Sequence, residues 1–534
     1  MSKSNILLTQ DDLQIINNNI ESINEKLEKM RESLSLSLSF SKKKKIFNIV
    51  IDFIIKKRRK VYGGFALNEM LKDIGSSDTF YSDDDKEIHD IDFYTPDPIN
   101  DLIDLCDIIF KENIALYEIV GKEAQHSETY SLYVDGTLYC DLSYVPKKIY
   151  NKMPFRELEN KIVSIHPHFM WIDYLRILSE PINSWWRPRI DKGIERFTIL
   201  QNNFKLPQNL SPIKVDKPEM NSQICLNAIL QFLINKKTTV VVGFYAYNYL
   251  LQYSNIVNTN NLSRGKSKKK ETRVRDSNFN IQFTDIPYFE FISTDYKNDC
   301  LILLELLRKL FPDDDKIISY VEHYPWFQYT GYSVKIYCKN KLIAIIYDYD
   351  KRCIPYSDVV TRHLEKDFLN HKQLKGKIRI GTFSVILLYF MINLQIFRTD
   401  NNKEMKELIY KISSHLIYVR NVYLKKNNKS ILDNTLFREM EINCTGSTIT
   451  NQMVFKLKIK QRMKKKQKIS FRYEPSGVEI NRPKYVFKNT SGNKINYDNN
   501  LILTSNTESE TETESETEDL SDNKNTESVT VNGK

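Results

Sequence analysis

The chain contains an internal repeat, and a repeat restricts the folds that its two halves can adopt. Residues 61–71 read VYGGFALNEML and residues 241–251 read VVGFYAYNYLL, so both run from β-branched residues through glycine into a helical pattern. Further along, DIDFYT (90–95) matches YFEFIS (288–293), although 18 more residues separate the two matched stretches in the second copy. The sequence therefore predicts an α+β protein in which two domains share one strand–turn–helix framework.

Changes of composition along the chain predict the domain boundaries. Residues 203–222 hold three prolines and little apolar pattern, which favours a linker. From residue 504 the chain is rich in Thr, Ser and Glu and lacks the apolar residues needed for a core, which is typical of disorder. The predicted segments are an N-terminal amphipathic helical segment (1–40), a first domain (41–202), the linker (203–222), a second domain (223–400), a basic C-terminal region (401–503) and a disordered acidic tail (504–534).

The N-terminal segment has apolar residues at helical spacing, and they form a narrow stripe. We expect this stripe to pack against the body of the protein or against a partner helix. The stripe consists of Leu13, Ile16, Ile20, Ile23, Leu27 and Met30.

The seven cysteines and the apolar runs bear on the compartment. The cysteines are far apart, odd in number and never spaced as CxxC, so we expect neither a disulfide framework nor a zinc site, and a reducing compartment fits. The N-terminus lacks a signal-peptide pattern, and the longest apolar run, residues 382–397, is short for a membrane span. The sequence predicts an intracellular protein that does not enter a membrane.

Three carboxylates fall on predicted strands. Asp90 and Asp92 are two residues apart, so on a strand they project from the same face, and Asp141 lies on a later strand. Carboxylates this close repel each other unless a cation lies between them, and oxygen ligands favour Mg²⁺ or Mn²⁺. Three acidic groups on adjacent strands can hold two such ions, which suits a phosphoryl or nucleotidyl transfer.

Upstream of these carboxylates, Gly63 and Gly64 are the only adjacent glycines, between a predicted strand and a helix. Glycine lets backbone N–H groups approach a phosphate, and a helix N-terminus favours negative charge. The chain contains neither GxGxxG nor GxxxxGK[ST], which excludes the common glycine-rich nucleotide loops.

In Gly63-Gly64, Asp90-x-Asp92 and Asp141 the chain resembles the polymerase-β-like nucleotidyltransferases, and more closely the viral poly(A) polymerase catalytic subunits of poxviruses and giant amoebal viruses. The resemblance implies a nucleotidyltransferase fold, a mixed sheet with flanking helices, over residues 41–202. It implies ATP as donor and an RNA 3′ end as acceptor. By the same match, the glycines bind the triphosphate and the three aspartates are catalytic metal ligands, one of which assists deprotonation of the 3′-hydroxyl.

The second copy lacks these residues. Tyr288 stands in place of Asp90, Glu290 in place of Asp92, Ile345 in place of Asp141 and Phe244 in place of Gly64. One carboxylate cannot hold two metal ions, so we expect a degenerate, inactive nucleotidyltransferase-like domain that serves packing, RNA binding or dimerisation.

Several basic residues are candidate contacts for nucleotide or RNA. Arg189, Lys192 and Arg196 share one helix face after the third aspartate, where they suit the incoming triphosphate. Two clusters of basic residues suit an RNA backbone. In the second cluster, basic residues alternate with other residues over 458–462, which predicts an edge strand with one basic face. The candidate RNA-binding residues are Arg264, Lys266, Lys268, Lys269 and Lys270 in the first cluster, and Lys456, Lys458, Lys460, Arg462 and Lys464 in the second.

The charge distribution supports a polyanionic partner. The net charge is +10, but residues 504–534 carry −7, so the rest of the chain carries +17. We predict a template-independent polynucleotide adenylyltransferase that uses ATP and two Mg²⁺ or Mn²⁺ ions, forms a homodimer, and works in the host cytoplasm (the viral factory), with packaging in the virion. Two alternatives remain open: another terminal nucleotidyltransferase of the uridylyl or CCA type, or a non-catalytic RNA-binding or processivity subunit.

Overall fold

The structure is a computed structural model of the chain. It describes residues 10–33, 38–81, 88–185, 189–254, 281–314, 316–326, 328–361, 376–399, 402–466 and 470–475. The predicted acidic tail and the first basic cluster, residues 264–270, lie outside these ranges.

Two helices precede the first sheet. Helix α1 (Gln10–Ser33) carries the predicted apolar stripe, whose side chains are 39–58% exposed. Helix α2 (Phe40–Lys57) buries Ile46, Val50 and Phe53, one side of the helix, in the core. Thus α2 belongs to the folded body, and the stripe of α1 remains largely open to solvent.

The first domain is an eight-stranded mixed sheet with flanking helices. The strand order is β16-β3-β4-β5-β2-β1-β7-β6. Its elements in chain order are β1 (Lys60–Tyr62), α3 (Gly63–Asp73), β2 (Ile91–Thr95), α4 (Pro98–Lys111), β3 (Ile119–Glu123), β4 (Thr129–Val134), β5 (Thr137–Tyr144), α5 (Lys147–Lys152), β6 (Phe155–Glu157), β7 (Val163–Ile165), α6 (Pro167–Ser179), α7 (Pro181–Ser184) and α8 (Arg189–Asn203).

The second domain is again an eight-stranded mixed sheet, in the order β10-β11-β12-β9-β8-β14-β13-β15. Its elements are α9 (Met220–Leu233), β8 (Thr239–Val242), α10 (Gly243–Ser254), β9 (Phe289–Ser293), α11 (Tyr296–Arg308), β10 (Ile318–His323), β11 (Ser333–Cys338), β12 (Lys341–Asp348), β13 (Cys353–Val360), β14 (Lys377–Gly381), α12 (Phe383–Thr399), α13 (Lys403–Lys426) and β15 (Cys444–Gly446). Helix α14 (Asn451–Lys464) and β16 (Arg472–Tyr473) follow, and β16 returns to the first sheet.

The two sheets have the same order over six strands, from β3 to β7 in the first and from β10 to β14 in the second. The registers agree as well: Asp92 is the partner of Asp141, and Glu290 is the partner of Ile345. The residue-by-residue match between the two copies is therefore also a match in space, which confirms the predicted second nucleotidyltransferase-like domain.

Each domain also fixes the helix after its second strand with the same polar contacts. In the first domain Thr95 donates a hydrogen bond to buried Asp101, which pairs with Arg59 at 2.8 Å. The equivalent residues of the second domain are Ser293, Asp299 and Lys236. These contacts occur both in the domain that has the three aspartates and in the domain that lacks them. They therefore belong to the shared fold and not to the site.

Two predictions about local structure are wrong. Residues 458–462 do not form an edge strand; they lie in helix α14. Thr450 caps the start of this helix, and the alternation of basic and apolar residues falls inside it. Cys353 and Cys444 form a disulfide, although no disulfide was expected. The pair is 91 residues apart in sequence, and β13–β15 pairing brings it together, so spacing rules could not detect it.

Two side chains of the second domain, Tyr329 and Arg352, contact the first. Tyr329 donates a hydrogen bond to Asp173 of α6 at 3.0 Å, and its hydroxyl lies 3.1 Å from that of Tyr94 on β2. Arg352 lies 3.5 Å from Glu180. The domains thus share a polar interface that includes Tyr94 of β2, the strand that carries Asp92. Within the described ranges, no helix has the length and apolar character needed to cross a membrane.

Candidate active site

The three predicted carboxylates lie together at one end of β2 and β5. Asp92 is within β2 and Asp141 is its partner on β5, whereas Asp90 directly precedes β2 instead of lying on the strand. One ligand atom of each lies within 4.8 Å of the other two. The predicted cluster is therefore a single site, exposed at Asp90 and partly covered at Asp92 and Asp141.

The electrostatics of this cluster call for a cation. Burial, together with the charges of Asp141 and Asp90, raises the pKa of Asp92 well above its usual range. Burial also raises the pKa of Asp141 to about 6, against a hydrogen bond from Ser131 to its Oδ1 at 2.5 Å. Because all three donors are carboxylates in a partly dehydrated site, they fit divalent metal ions that prefer oxygen ligands.

Gly63 and Gly64 lie beside the carboxylates, where α3 begins. Gly63 has a φ of +73°, and a Cβ there would lie 2.6 Å from Asp92 Oδ2. A Cβ on Gly64 would collide with the guanidinium of Arg196. At Gly63 the positive φ and the close approach of Asp92 disfavour a side chain, whereas at Gly64 a side chain would have to displace Arg196. The first turn of α3 thus begins directly beside the carboxylates.

Arg196 is the member of the predicted triphosphate-binding trio that reaches this glycine pair. It lies on α8, donates a hydrogen bond to the Tyr81 hydroxyl at 2.5 Å, and stands 5.0 Å from the ring centroid of Phe80. Arg189 instead lies near Glu180, and Lys192 projects into solvent. The three residues share a helix, but only Arg196 contacts the segment that covers the glycines.

Asn68 supports this arrangement, and sequence analysis missed it. Its side-chain oxygen accepts hydrogen bonds from the backbone N–H groups of Phe80 and Tyr81, both at 3.0 Å. In the second domain Asn248 accepts from the backbone N–H of Thr284 at 3.1 Å. The repeat itself contained the signal, because Asn68 and Asn248 occupy the same aligned position.

The corresponding place in the second domain is filled and buried. Gly243 keeps the positive φ of Gly63, at +67°, but Phe244 packs against Tyr288 with the ring centroids 5.4 Å apart. Glu290 is 1% exposed and accepts a hydrogen bond from Asn393 at 3.0 Å. Burial raises the pKa of Glu290 to about 7. In the second domain the Phe244–Tyr288 pair thus fills the space next to the glycine, and the single carboxyl group of Glu290 replaces the three aspartates.

The second basic cluster lies on α14, with its cations on two sides. Lys458 and Arg462 each bind Glu123 at the end of β3, at 2.7 Å. Burial opposes ionisation of Glu123, but the hydrogen bonds from Arg462 and Lys458 outweigh it and lower its pKa. The remaining predicted residues of this cluster, Lys456, Lys460 and Lys464, are exposed at intervals of four residues. They form one basic helix face, which we call the α14 lysine face.

Two family models match this chain. The model of the poly(A) polymerase catalytic subunit matches residues 48–184. The model of the C-terminal part of the poly(A) polymerase catalytic subunit of Acanthamoeba polyphaga mimivirus (APMV) matches residues 219–505. The first contains the glycine pair and all three aspartates, and the second covers more than half of the chain.

Known proteins give the same result. A poly(A) polymerase catalytic subunit of Acanthamoeba polyphaga mimivirus is 32% identical over 94% of this chain and 87% of its own length. A poly(A) polymerase catalytic subunit of African swine fever virus is 27% identical over 39% of this chain and 40% of its own. The crystal structure of the Megavirus polyadenylate synthase has a TM-score of 0.74 and 29% identity, covering 93% of this chain and 94% of that one.

Proposed function

Because the chain belongs to the family of viral poly(A) polymerase catalytic subunits, it is a polynucleotide adenylyltransferase, and we propose that Asp90, Asp92 and Asp141 carry its reaction by holding two divalent metal ions. The observation that supports this is the convergence of three carboxylates within 4.8 Å beside a helix N-terminus without side chains. The all-oxygen donor set favours Mg²⁺ or Mn²⁺. ATP is the donor, and an RNA 3′ end is the acceptor.

The reaction transfers AMP from ATP to the RNA 3′-hydroxyl. The hydroxyl oxygen attacks the α-phosphorus, the bond to the bridging oxygen breaks, and pyrophosphate leaves with that oxygen's electron pair. One of the three carboxylates assists removal of the hydroxyl proton. When bound, the metal ions activate the attacking hydroxyl and stabilise the charge on the leaving group.

The chain's own residues position these reactants. Ser131 fixes the orientation of Asp141 through its hydrogen bond, and the β2–β5 pairing fixes Asp92 against Asp141. The backbone N–H groups at Gly63 and Gly64 bind the triphosphate, because a phosphate can approach them closely. Arg196 adds a positive charge at the same place and neutralises the triphosphate.

Primer extension tests this function. The protein is incubated with a labelled RNA primer and each NTP separately, in Mg²⁺ and in Mn²⁺. We expect extension with ATP and no template. Extension with UTP alone would contradict poly(A) synthesis and favour a uridylyl transferase, and no extension with any NTP would favour a non-catalytic RNA-binding subunit.

Arg196 tests the nucleotide side of the site. We expect Arg196→Ala to raise KM for ATP about tenfold, the size of one lost charge-assisted contact, and to leave RNA affinity unchanged. Lys192→Ala, one turn earlier on the same helix and in solvent, is the matched variant. An equal effect from both would show that α8 acts by general charge and that Arg196 has no special place.

A homodimer is the second part of this proposal. The stripe of α1 repeats at alternating intervals of three and four residues, as in helices that pair, and 39–58% of each side chain is exposed. Ile20→Asp with Ile23→Asp should lower the mass measured by light scattering at micromolar concentration. A wild-type chain that is monomeric at that concentration would contradict the dimer.

A further inference from the structure

A single row of side chains crosses the first sheet from the metal site to its edge. Each member is the direct cross-strand partner of the next, so all point to one face. The row runs through Asp92 on β2, Asp141 on β5, Ser131 on β4, Lys122 on β3 and Arg472 on β16. It therefore begins with carboxylates and ends with two cations.

Contacts along the row agree with its register. Ser131 hydrogen-bonds Asp141, and the Lys122 ammonium lies 3.9 Å from the ring centroid of Tyr133 on β4. Burial raises the pKa of Tyr133, and the charges of Asp141 and Asp90 raise it further, so this ring lies close to the carboxylates. Tyr133 thus holds the Lys122 side chain on the face that the aspartates occupy.

The carboxylates have two flanks, and the glycines occupy one of them. Gly63, Gly64 and Arg196 lie on the β1 and α3 side, where the triphosphate binds. The β4, β3 and β16 side is the opposite direction along the sheet. Because the attacking hydroxyl and the leaving pyrophosphate stand on opposite sides of the reacting phosphorus, a triphosphate on the glycine flank leaves the second flank for the acceptor.

We propose that Lys122 and Arg472 bind phosphates of the RNA strand immediately upstream of its 3′ end. This inference rests on the proposed function and adds the direction from which the RNA enters. Neighbouring strands are about 4.8 Å apart, so these residues lie about 10 and 14 Å from Asp141. A strand whose 3′-hydroxyl lies at the aspartates would pass both cations as it leaves the sheet.

The partners of the two cations permit this role. Lys122 has no carboxylate partner among the described residues. Arg472 pairs with Glu474 at 2.6 Å and lies 3.8 Å from Glu118, with 52% of its side chain exposed. Exposed pairs of this kind are weak, so a phosphate can replace these carboxylates on Arg472.

The second domain lacks this basic end. The aligned row there runs through Glu290, Ile345, Lys335 and Val321. Val321 stands where Lys122 stands, and among the described residues β10 has no further strand beyond it in the position of β16. The second row has a cation at the position of Ser131, Lys335, but in the described part of the chain none at the positions of Lys122 and Arg472, so the basic end belongs to the first domain alone.

Helix α14 lies next to the row. Glu123, the residue after Lys122, binds Lys458 and Arg462, which places α14 at the edge where the row ends. Glu123 neighbours Lys122 on β3 and so projects from the other face of the sheet, which means that α14 is joined to β3 but lies outside the row itself.

Binding of a fluorescent oligoadenylate tests the inference. The Lys122→Ala/Arg472→Ala pair is measured by anisotropy over a salt series without ATP, in a chain that also carries Asp90→Ala and Asp92→Ala. Two lost phosphate contacts should reduce the slope of log affinity against log salt by about 1.4 and weaken binding about 20-fold at 0.1 M salt. Lys425→Ala/Lys426→Ala, which removes the same charge from α13, should change neither.

Kinetics of the otherwise wild-type enzyme complete the test. The pair should raise KM for the primer and leave KM for ATP unchanged, and Lys122→Arg/Arg472→Lys should restore primer binding. A raised KM for ATP would assign the row to the triphosphate and overturn the inference, as would an unchanged salt slope. Because binding is measured without ATP, a failure of adenylate addition would count against the proposed function and not against this inference.

Discussion

The two domains share a framework and differ in the residues that face substrate. Both begin a helix with a glycine at positive φ, Gly63 or Gly243, and both use an asparagine in that helix to hold a distant backbone segment. In the first domain three carboxylates lie beside the glycine pair that begins α3. In the second, Phe244 and Tyr288 pack together in that place and Glu290 is buried.

This difference separates folding from chemistry. The residues common to both copies make hydrogen bonds and ion pairs inside the sheet–helix framework, so they are the ones that the fold requires. The residues present only in the first copy include three close carboxylates, whose mutual repulsion raises the electrostatic free energy unless a cation neutralises them. Matched substitutions in the two domains therefore test function and stability independently.

The largest contrast is expected at Asp92 and Glu290. Asp92→Asn removes a charge from the metal site and should lower the rate of primer extension about a thousandfold or more, because charge stabilisation at the reacting phosphate is lost. Glu290→Gln should leave the rate within about twofold, since a buried, lone carboxyl group cannot take part. Both rates are measured with ATP and a labelled primer.

RNA affinity is the control for this pair. Asp92→Asn should bind the primer as the wild-type chain does, because the aspartate contributes no cation to the RNA path. A comparable loss of rate in both variants would mean that the second domain takes part in the chemistry and that the assignment of the active site is wrong.

The glycines offer the next contrast. Gly63→Ala should lower activity about a hundredfold, because its Cβ would press on Asp92 Oδ2. Gly243→Ala has the same backbone strain, at φ +67°, and its Cβ would lie 2.9 Å from Glu290 Cβ. Both should lose about 1–2 kcal/mol of stability, measured by thermal unfolding, but only the first should lose activity. Equal losses of activity would contradict a role for Gly63 beyond folding.

The sequence predicted the part of the site that local patterns encode. Two-residue alternation placed Asp92 on a strand, and the repeat placed Glu290 and Ile345 opposite Asp92 and Asp141. The alternating pattern predicted a strand for the segment containing Lys458 and Arg462, which is a helix. Five residues are too few to distinguish the two, and in the helix both cations still reach Glu123.

Contacts between distant parts of the chain were beyond the reach of sequence analysis. The Cys353–Cys444 bond and the β16–β3 pairing join residues separated by 91 and about 350 positions, and only the folded sheet brings them together. Lys122 and Arg472 carry no motif, so their relation to Asp141 is visible only in the register. Arg196 was predicted as a triphosphate contact, but its hydrogen bond to Tyr81 on another segment is visible only in the structure.

The framework residues should behave alike in both domains. Asp101→Asn leaves Arg59 without its buried partner, and Asp299→Asn does the same to Lys236. Each substitution should destabilise its domain by about 2 kcal/mol, because a half-buried cation loses its counter-charge. Urea unfolding followed by tryptophan fluorescence measures both. A large loss in one variant alone would show that the two copies do not depend on the framework equally.

The smallest effect is a pH dependence carried by Glu290. Burial raises its pKa to about 7 in the folded chain, against about 4.5 when unfolded. Between these values the folded state binds a proton that the unfolded state has released, so stability falls as pH rises from about 4.5 to 7 and then stays level. The loss should be about 2 kcal/mol, and it is measured as the free energy of unfolding between pH 5 and 8.

Glu290→Gln isolates this contribution. Glutamine keeps a hydrogen-bonding oxygen for Asn393 but has no proton to lose, so the variant should match the wild-type chain near pH 5 and exceed it at pH 8. Asp101→Asn is the contrasting variant: because Asp101 pairs with Arg59, its replacement should bring no gain of stability at pH 8. If Glu290→Gln shows the wild-type slope, the group that resists ionisation in the folded chain is not Glu290.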